Sequence, residues 1–97
     1  MRRKALIINN LDNVAVALKS LDKGEVVEFS INNRTIKVMI KEFIAKGHKF
    51  AVRDISKGDT IVKYGEIVGI ATRDIQAGEH VHIHNIRSKY SSIVKKR

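Results

Sequence analysis

The chain places all four of its histidines in one stretch, GHKFAVRDISKGDTIVKYGEIVGIATRDIQAGEHVHIHN, from Gly47 to Asn85. Three of them alternate: His80, His82 and His84. A neutral imidazole can ligate a metal, hold a proton or hydrogen-bond an anion. Alternate side chains of a strand leave the same face. A strand over His80–Ile86 would therefore line the three histidines on one face, with Val81 and Ile83 on the other. Their backbones would lie roughly 6–7 Å apart, close enough for two rings to tilt toward one ion or anionic ligand. His82 and His84 are the candidate metal ligands. With His48, they are also candidate catalytic residues. The plain alternative is a polar strand face with solvated histidines.

Other residues of the same stretch could serve an acidic substrate. Lys49 and Lys63 offer point charges for a carboxylate, whereas Arg53 reads better as a surface cation. Gly65 suits a turn that presents Tyr64 at its tip. Tyr64 could then donate a proton or hydrogen-bond a substrate hydroxyl, or simply pack with its hydroxyl at the edge. Asn85 is a candidate substrate contact, or else fixes a histidine tautomer or caps the strand end.

The elements that must position these groups come from a repeat. ALKSLDKGEVV from Ala17, AVRDISKGDTI from Ala51 and ATRDIQAGEHV from Ala71 share one pattern. Each reads Ala, three residues, Leu or Ile, two residues, Gly, an acid, one residue, then Val or Ile. Leu21, Ile55 or Ile75 anchors a turn, Gly24, Gly58 or Gly78 relieves its backbone, and a β-branched residue opens the next strand. In this alignment His80 stands where the other units carry Val26 and Thr60, which marks it as the bystander of the row. Asp54 and Asp74 are equivalent to each other, with Ser20 in the third unit. That equivalence points to a turn role rather than catalysis.

Short strands are expected over Val26–Ser30 and Thr35–Ile40, joined by an Asn32–Asn33 turn, and over Lys49–Val52, Thr60–Val62, Ile67–Ala71 and His80–Ile86. One short helix is expected over Asn13–Leu18, capped by Asp12 or Asn13. The fold class is mostly β: a compact domain of short strands and glycine turns.

Ninety-seven residues make a single domain, with a core over about 11–87 and a basic polar tail over 88–97. So small a chain favours a binding module or part of a larger assembly over a self-contained enzyme. Without cysteine there is no disulfide framework and no thiolate chemistry. No apolar run approaches the roughly 18–20 residues of a membrane span, and the N-terminus lacks a signal-peptide cleavage site. The expected location is cytoplasmic, with no membrane partner. The net charge of +9 invites a nucleic-acid reading, but six of the 19 basic residues sit in Arg2-Arg3-Lys4 and Lys95-Lys96-Arg97. The rest carries 13 basic residues against 10 acidic, interleaved and poor in aromatics, so no nucleic-acid partner is expected.

LDNVAVAL, GHKFAVRDI, IVKYG and GEHVHIHN, in this order over about Leu11–Arg87, resemble the N-terminal SAF-type domain of the altronate and galactarate dehydratase family. Sulfolactate sulfo-lyase carries the same domain type. The resemblance implies a β-clip fold. It also implies a hydro-lyase acting on a sugar acid with a divalent metal, iron or manganese. Family members with one long chain continue into a much larger catalytic region, so this chain resembles the split form: a small subunit, inactive alone, working with a large dehydratase subunit. A homo-oligomer is compatible with that reading. The loss of water across adjacent carbons of a hydroxy acid needs a base and stabilisation of the developing enediolate. This chain has histidines for part of that work and no carboxylate cluster. The alternative class is a non-catalytic carbohydrate- or protein-binding SAF module.

Overall fold

Valine and isoleucine fill the runs between the glycine turns, and in the computed structural model those runs are strands. The structure describes residues 3–88 except Asn32. One of the two turn residues expected at Asn32–Asn33, and the tail beyond Ser88, lie outside the described residues. The strands are β1 Ala5–Leu6, β2 Val14–Ala17, β3 Val26–Ile31, β4 Arg34–Met39, β5 Lys49–Ala51, β6 Thr60–Lys63, β7 Glu66–Ala71, β8 His80–Val81 and β9 Ile86–Ser88. A four-stranded sheet has the order β1-β2-β5-β8, β3 pairs with β4, and a third sheet runs β6-β7-β9, all antiparallel. No helix among the described residues is long and apolar enough to cross a membrane.

The repeat has a fourth member that the sequence reading lacks. Ile40, Ile44, Gly47 and His48 stand where Ala17, Leu21, Gly24 and Glu25 stand in the first unit. The units work in reciprocal pairs. Leu21 and Ile44 exchange backbone hydrogen bonds in both directions, Gly24 N donates to Ile40 O, and Gly47 N donates to Ala17 O. Ile55 and Ile75 do the same, with Gly58 N on Ala71 O and Gly78 N on Ala51 O. Each pair is one clip. The glycines take φ of 94°, 87°, 93° and 93°, a region that side chains resist.

Each clip has its own core. Leu21, Ile40, Ile44 and Phe50 pack with the β3–β4 hairpin residues Val27, Phe29 and Val38. Ile55, Ile61, Ala71, Ile75 and Val81 form the second core. The wall between them is the four-stranded sheet: Ala15, Ala17 and Phe50 face the first core, and Val14 and Ala51 the second. Full burial of one such large side chain contributes about 1.5–3 kcal/mol, so both clips are held chiefly by their apolar anchors.

Two expectations are corrected. Asn13–Leu18 is not a helix, because Val14–Ala17 is β2. Six residues are too few to hold a helix without tertiary support, and here tertiary pairing favours the extended form. β2 is buried between β1 and β5, which satisfy its backbone on both sides. Asn13 caps nothing helical: its side chain donates to Thr60 O and accepts from Val62 N, both at 2.8 Å. The expected strand His80–Ile86 is also interrupted. β8 ends at Val81, residues 82–85 turn, and the chain resumes as β9 beside β7. The cause is Asn85, whose Oδ1 accepts from His82 N at 2.9 Å and whose Nδ2 donates to His80 O at 2.7 Å. Such local side-chain bonds compete with a sheet ladder.

Candidate functional site

The four histidines gather although they do not share a strand. His80 is the hub. Its ring centroid lies 5.0 Å from that of His48, 5.3 Å from His82 and 5.4 Å from His84. His48 and His82 stack at 5.4 Å. His48 Nδ1 and His80 Nε2 are 2.9 Å apart, a hydrogen bond in which one ring donates and the other accepts. The residue marked as the bystander in the sequence is thus at the centre. Its repeat equivalents gave no hint, because what positions it is the pairing of His80 with Phe50 and the Asn85 turn that follows.

His48 comes to the group by giving up a structural duty. In the other units the acid at its position caps its own turn. Glu25 Oε1 accepts from Asp22 N at 3.4 Å, Asp59 Oδ2 from Ser56 N at 3.3 Å and Glu79 Oε1 from Gln76 N at 2.6 Å. Imidazole replaces carboxylate in the second unit and turns to His80 instead.

Burial, and after it the neighbouring His48, His82 and His84, holds the His80 pKa below the ordinary histidine value. The Glu42 carboxylate opposes this, and its Oε2 accepts from His80 N at 3.1 Å. Glu42 is a member of the site that the sequence reading missed. Asn85, expected as a substrate contact, is buried with both ends of its amide committed to the 80–82 backbone.

Lys49, Lys63 and Tyr64 form a separate group. Ala17 N bonds His48 O and Val16 pairs with Lys49, so the pleat runs through His48, Lys49 and Phe50. Lys49 therefore leaves the sheet on the face opposite His48. Its pKa is lowered by burial and then by the Lys63 charge, which places the two lysines near each other. Lys63 Nζ lies 5.1 Å from the centroid of the Tyr64 ring. Tyr64 and Gly65 both have positive φ, 54° and 79°, as a two-residue hairpin loop between Lys63 and Glu66 requires. Buried Asp12 holds that loop: its Oδ1 accepts from Gly65 N at 2.7 Å, and its Oδ2 from Asn9 N at 3.2 Å. Arg53 donates to the Asp12 carbonyl.

Among the described residues, no three His, Asp or Glu side chains are grouped to hold a metal ion. Clefts of about 440, 300 and 430 Å³ open elsewhere on the surface, and none of the three is lined by a histidine. His48, His80 and His82 are half-buried and His84 is exposed, so a second surface could cover a ligand seated on the group.

The chain is 49% identical over 86 residues to the altronate dehydratase of Escherichia coli strain K12, covering 89% of this chain and 17% of that protein. It is 40% identical over 86 residues to the altronate dehydratase of Bacillus subtilis strain 168, covering 89% of this chain and 16% of that protein. It thus spans about one sixth of the length of these relatives. The (2R)-sulfolactate sulfo-lyase subunit alpha of Chromohalobacter salexigens is 30% identical over 87 residues, covering 86% of this chain and 93% of that one. A family model described as the altronate/galactarate dehydratase SAF domain matches residues 3–89, and the chain belongs to that family.

Proposed function

We propose that this chain is the small component of a sugar-acid hydro-lyase of the altronate dehydratase type, contributing its histidine group to a site that a larger chain completes. The observation that carries the reading is the gathering of His48, His80, His82 and His84 into one partly exposed group, in a domain whose relatives are lyases. A relative of nearly the same length is named as a subunit, which supports a division of the enzyme between chains.

The His48–His80 pair can hold one proton between its facing nitrogens and hand it on from either ring. That suits a reaction in which a proton next to a carboxylate is removed and the hydroxyl on the adjacent carbon leaves as water. His82 and His84 extend the same surface and are the proposed metal ligands. Iron or manganese, when bound, would supply charge stabilisation for the leaving hydroxide. The described residues supply too few grouped donors for a complete metal site, so further ligands would come from the larger chain. Lys49 leaves the face of the sheet opposite His48, and its proposed contact with an acidic substrate, shared with Lys63 and Tyr64, requires a ligand or partner that wraps the edge.

The test is co-expression with the large dehydratase-like chain of the same organism, followed by assays on altronate, galactarate and sulfolactate. The complex should turn over one of these acids and the isolated chain none. His82→Ala and His84→Ala should each lower turnover strongly without unfolding the domain. Wild-type turnover by both variants would remove the histidine group from the mechanism. Sugar binding by a chain that never joins a larger one would favour the non-catalytic module.

A further inference from the structure

The four units of the chain provide an internal standard for what the fold itself requires, and the second unit breaks it three times on one turn. The first break is Glu42, where the others carry Lys19, Arg53 and Arg73. Arg53 donates to the Asp12 carbonyl and Arg73 Nη2 to His84 O at 3.1 Å, whereas Glu42 accepts from His80 N. The second break is Phe43, where the others carry Ser20, Asp54 and Asp74. Asp54 Oδ1 caps Ala77 N at 3.0 Å and Asp74 Oδ1 caps Lys57 N at 2.8 Å, each tying its own clip together. Phe43 cannot accept a hydrogen bond and leaves 57% of its surface exposed. The third break is His48, already described.

The turn nevertheless keeps its reciprocal bonds and its positive-φ glycine. None of the three plays the part its counterparts play in their own clips: Glu42 and His48 bond to His80 instead, and Phe43 caps nothing. Glu42 and His48 both bond to His80, Phe43 follows Glu42 on the same turn, and Ile83, 84% exposed, lies in sequence between His82 and His84. Ile8 and Leu11 are more exposed than Phe43, so exposure alone does not select Phe43. The departures from the chain's own repeat select this surface.

We propose that the turn from Glu42 to His48, with the 82–85 loop beside it, is the docking face for the larger chain, and that Phe43 and Ile83 are its apolar anchors. The occupant is a protein surface with apolar sites to receive these two side chains, and its arrival encloses the histidines. The inference rests on the functional reading above. In the altronate dehydratases the matching segment is part of a chain about six times its length, and the rest of that chain supplies a candidate surface in the same molecule.

That arrangement also supplies the test. Residues 3–88 would replace the matching segment of the Escherichia coli altronate dehydratase, and hydrogen exchange would be compared between this chimera and the isolated chain. Amides of residues 40–48 and 80–85 should slow by about tenfold or more in the chimera. Phe43→Asp with Ile83→Ser should abolish the slowing while leaving the urea midpoint of the isolated chain unchanged. Phe43→Ser, the residue of the first unit, is the milder variant and should weaken it. Slowing confined to other segments, slowing nowhere, or slowing that survives the double substitution would overturn the proposal. Slowing at 40–48 and 80–85 without consumption of altronate would uphold the docking face and count against the functional reading.

Discussion

His48 Nδ1 and His80 Nε2 face each other at 2.9 Å, so the pair is satisfied only while one of the two nitrogens is unprotonated. Protonating both rings replaces a hydrogen bond with a repulsion, in a place where His80 is already partly removed from water.

A pH dependence follows. Unfolded His80 titrates near ~6.5, and in the folded chain its pKa is lower. Between the two values the unfolded chain takes up a proton that the folded chain refuses. Stability is therefore complete above about pH 6.5 and declines as pH falls toward the folded pKa. Urea midpoints at about pH 7.5 and 5.5 should differ in that sense, and His80→Gln should flatten the difference. An equal slope in the variant would assign the effect elsewhere.

His48→Glu should stabilise the chain. It restores the carboxylate that caps the turn in the other three units, and one such hydrogen bond contributes about 0.5–1.5 kcal/mol. The same substitution should suppress turnover in the assembled enzyme. Denaturation of the isolated chain beside activity of the complex separates the two effects. A less stable variant would show that imidazole is the better fit to this turn.

That missing cap also explains what the sequence discloses. Three units are readable because alanine, glycine and an acid recur at fixed spacing. The second is hidden because Ile40, His48 and Phe50 replace Ala, the acid and Val or Ile, leaving only Ile44 and Gly47 in place. The overall β character is legible from the β-branched runs and glycine turns. The short helix is a misreading of Asn13–Leu18, where pairing on both sides outweighs local capping chemistry. The clustering of His48 with the later histidines is not legible from strand parity, since His82 and His84 lie in a turn. It depends on which strands neighbour one another, β5 and β8, and nothing in local sequence encodes that.

Two glycines with the same φ should respond differently to alanine. Gly58 and Gly78 both have φ of 93°, a strain of about 1–2 kcal/mol for any side chain. At Gly58 a new Cβ meets open space, whereas at Gly78 it would collide with the Met39 carbonyl. Gly58→Ala should cost about 1–2 kcal/mol by chemical denaturation. Gly78→Ala should cost at least about 3 kcal/mol or leave no folded protein, because backbone must move. Equal losses would contradict the close approach of the two clips at that point.

Asn85→Ala removes both side-chain bonds that brace the 82–85 turn, leaving its backbone bonds from Asn85 N and Ile86 N to His82 O. The expected loss is about 2–4 kcal/mol, since buried partners are left unpaired. Asn85→Asp keeps the acceptor for His82 N but sets a carboxylate against His80 O, and should be destabilising too. Proton NMR should show the His82 and His84 rings released from their present neighbours in Asn85→Ala. Unchanged ring shifts would mean that the turn holds without this side chain.

The reciprocal clips also bear on the order of assembly. Leu21 bonds Ile44 and Ile55 bonds Ile75, contacts across short loops, whereas Asn13 N reaches Val62 O and Val52 N reaches Asn13 O. Closing a long loop costs more entropy, and non-local pairing is slow. Each clip is expected to form first, and the dividing sheet later. In a refolding experiment with pulsed hydrogen exchange, the Leu21 and Ile75 amides should be protected before that of Val52. His48 belongs to one clip and His80 follows the other, so their contact can close only after both halves have folded and met.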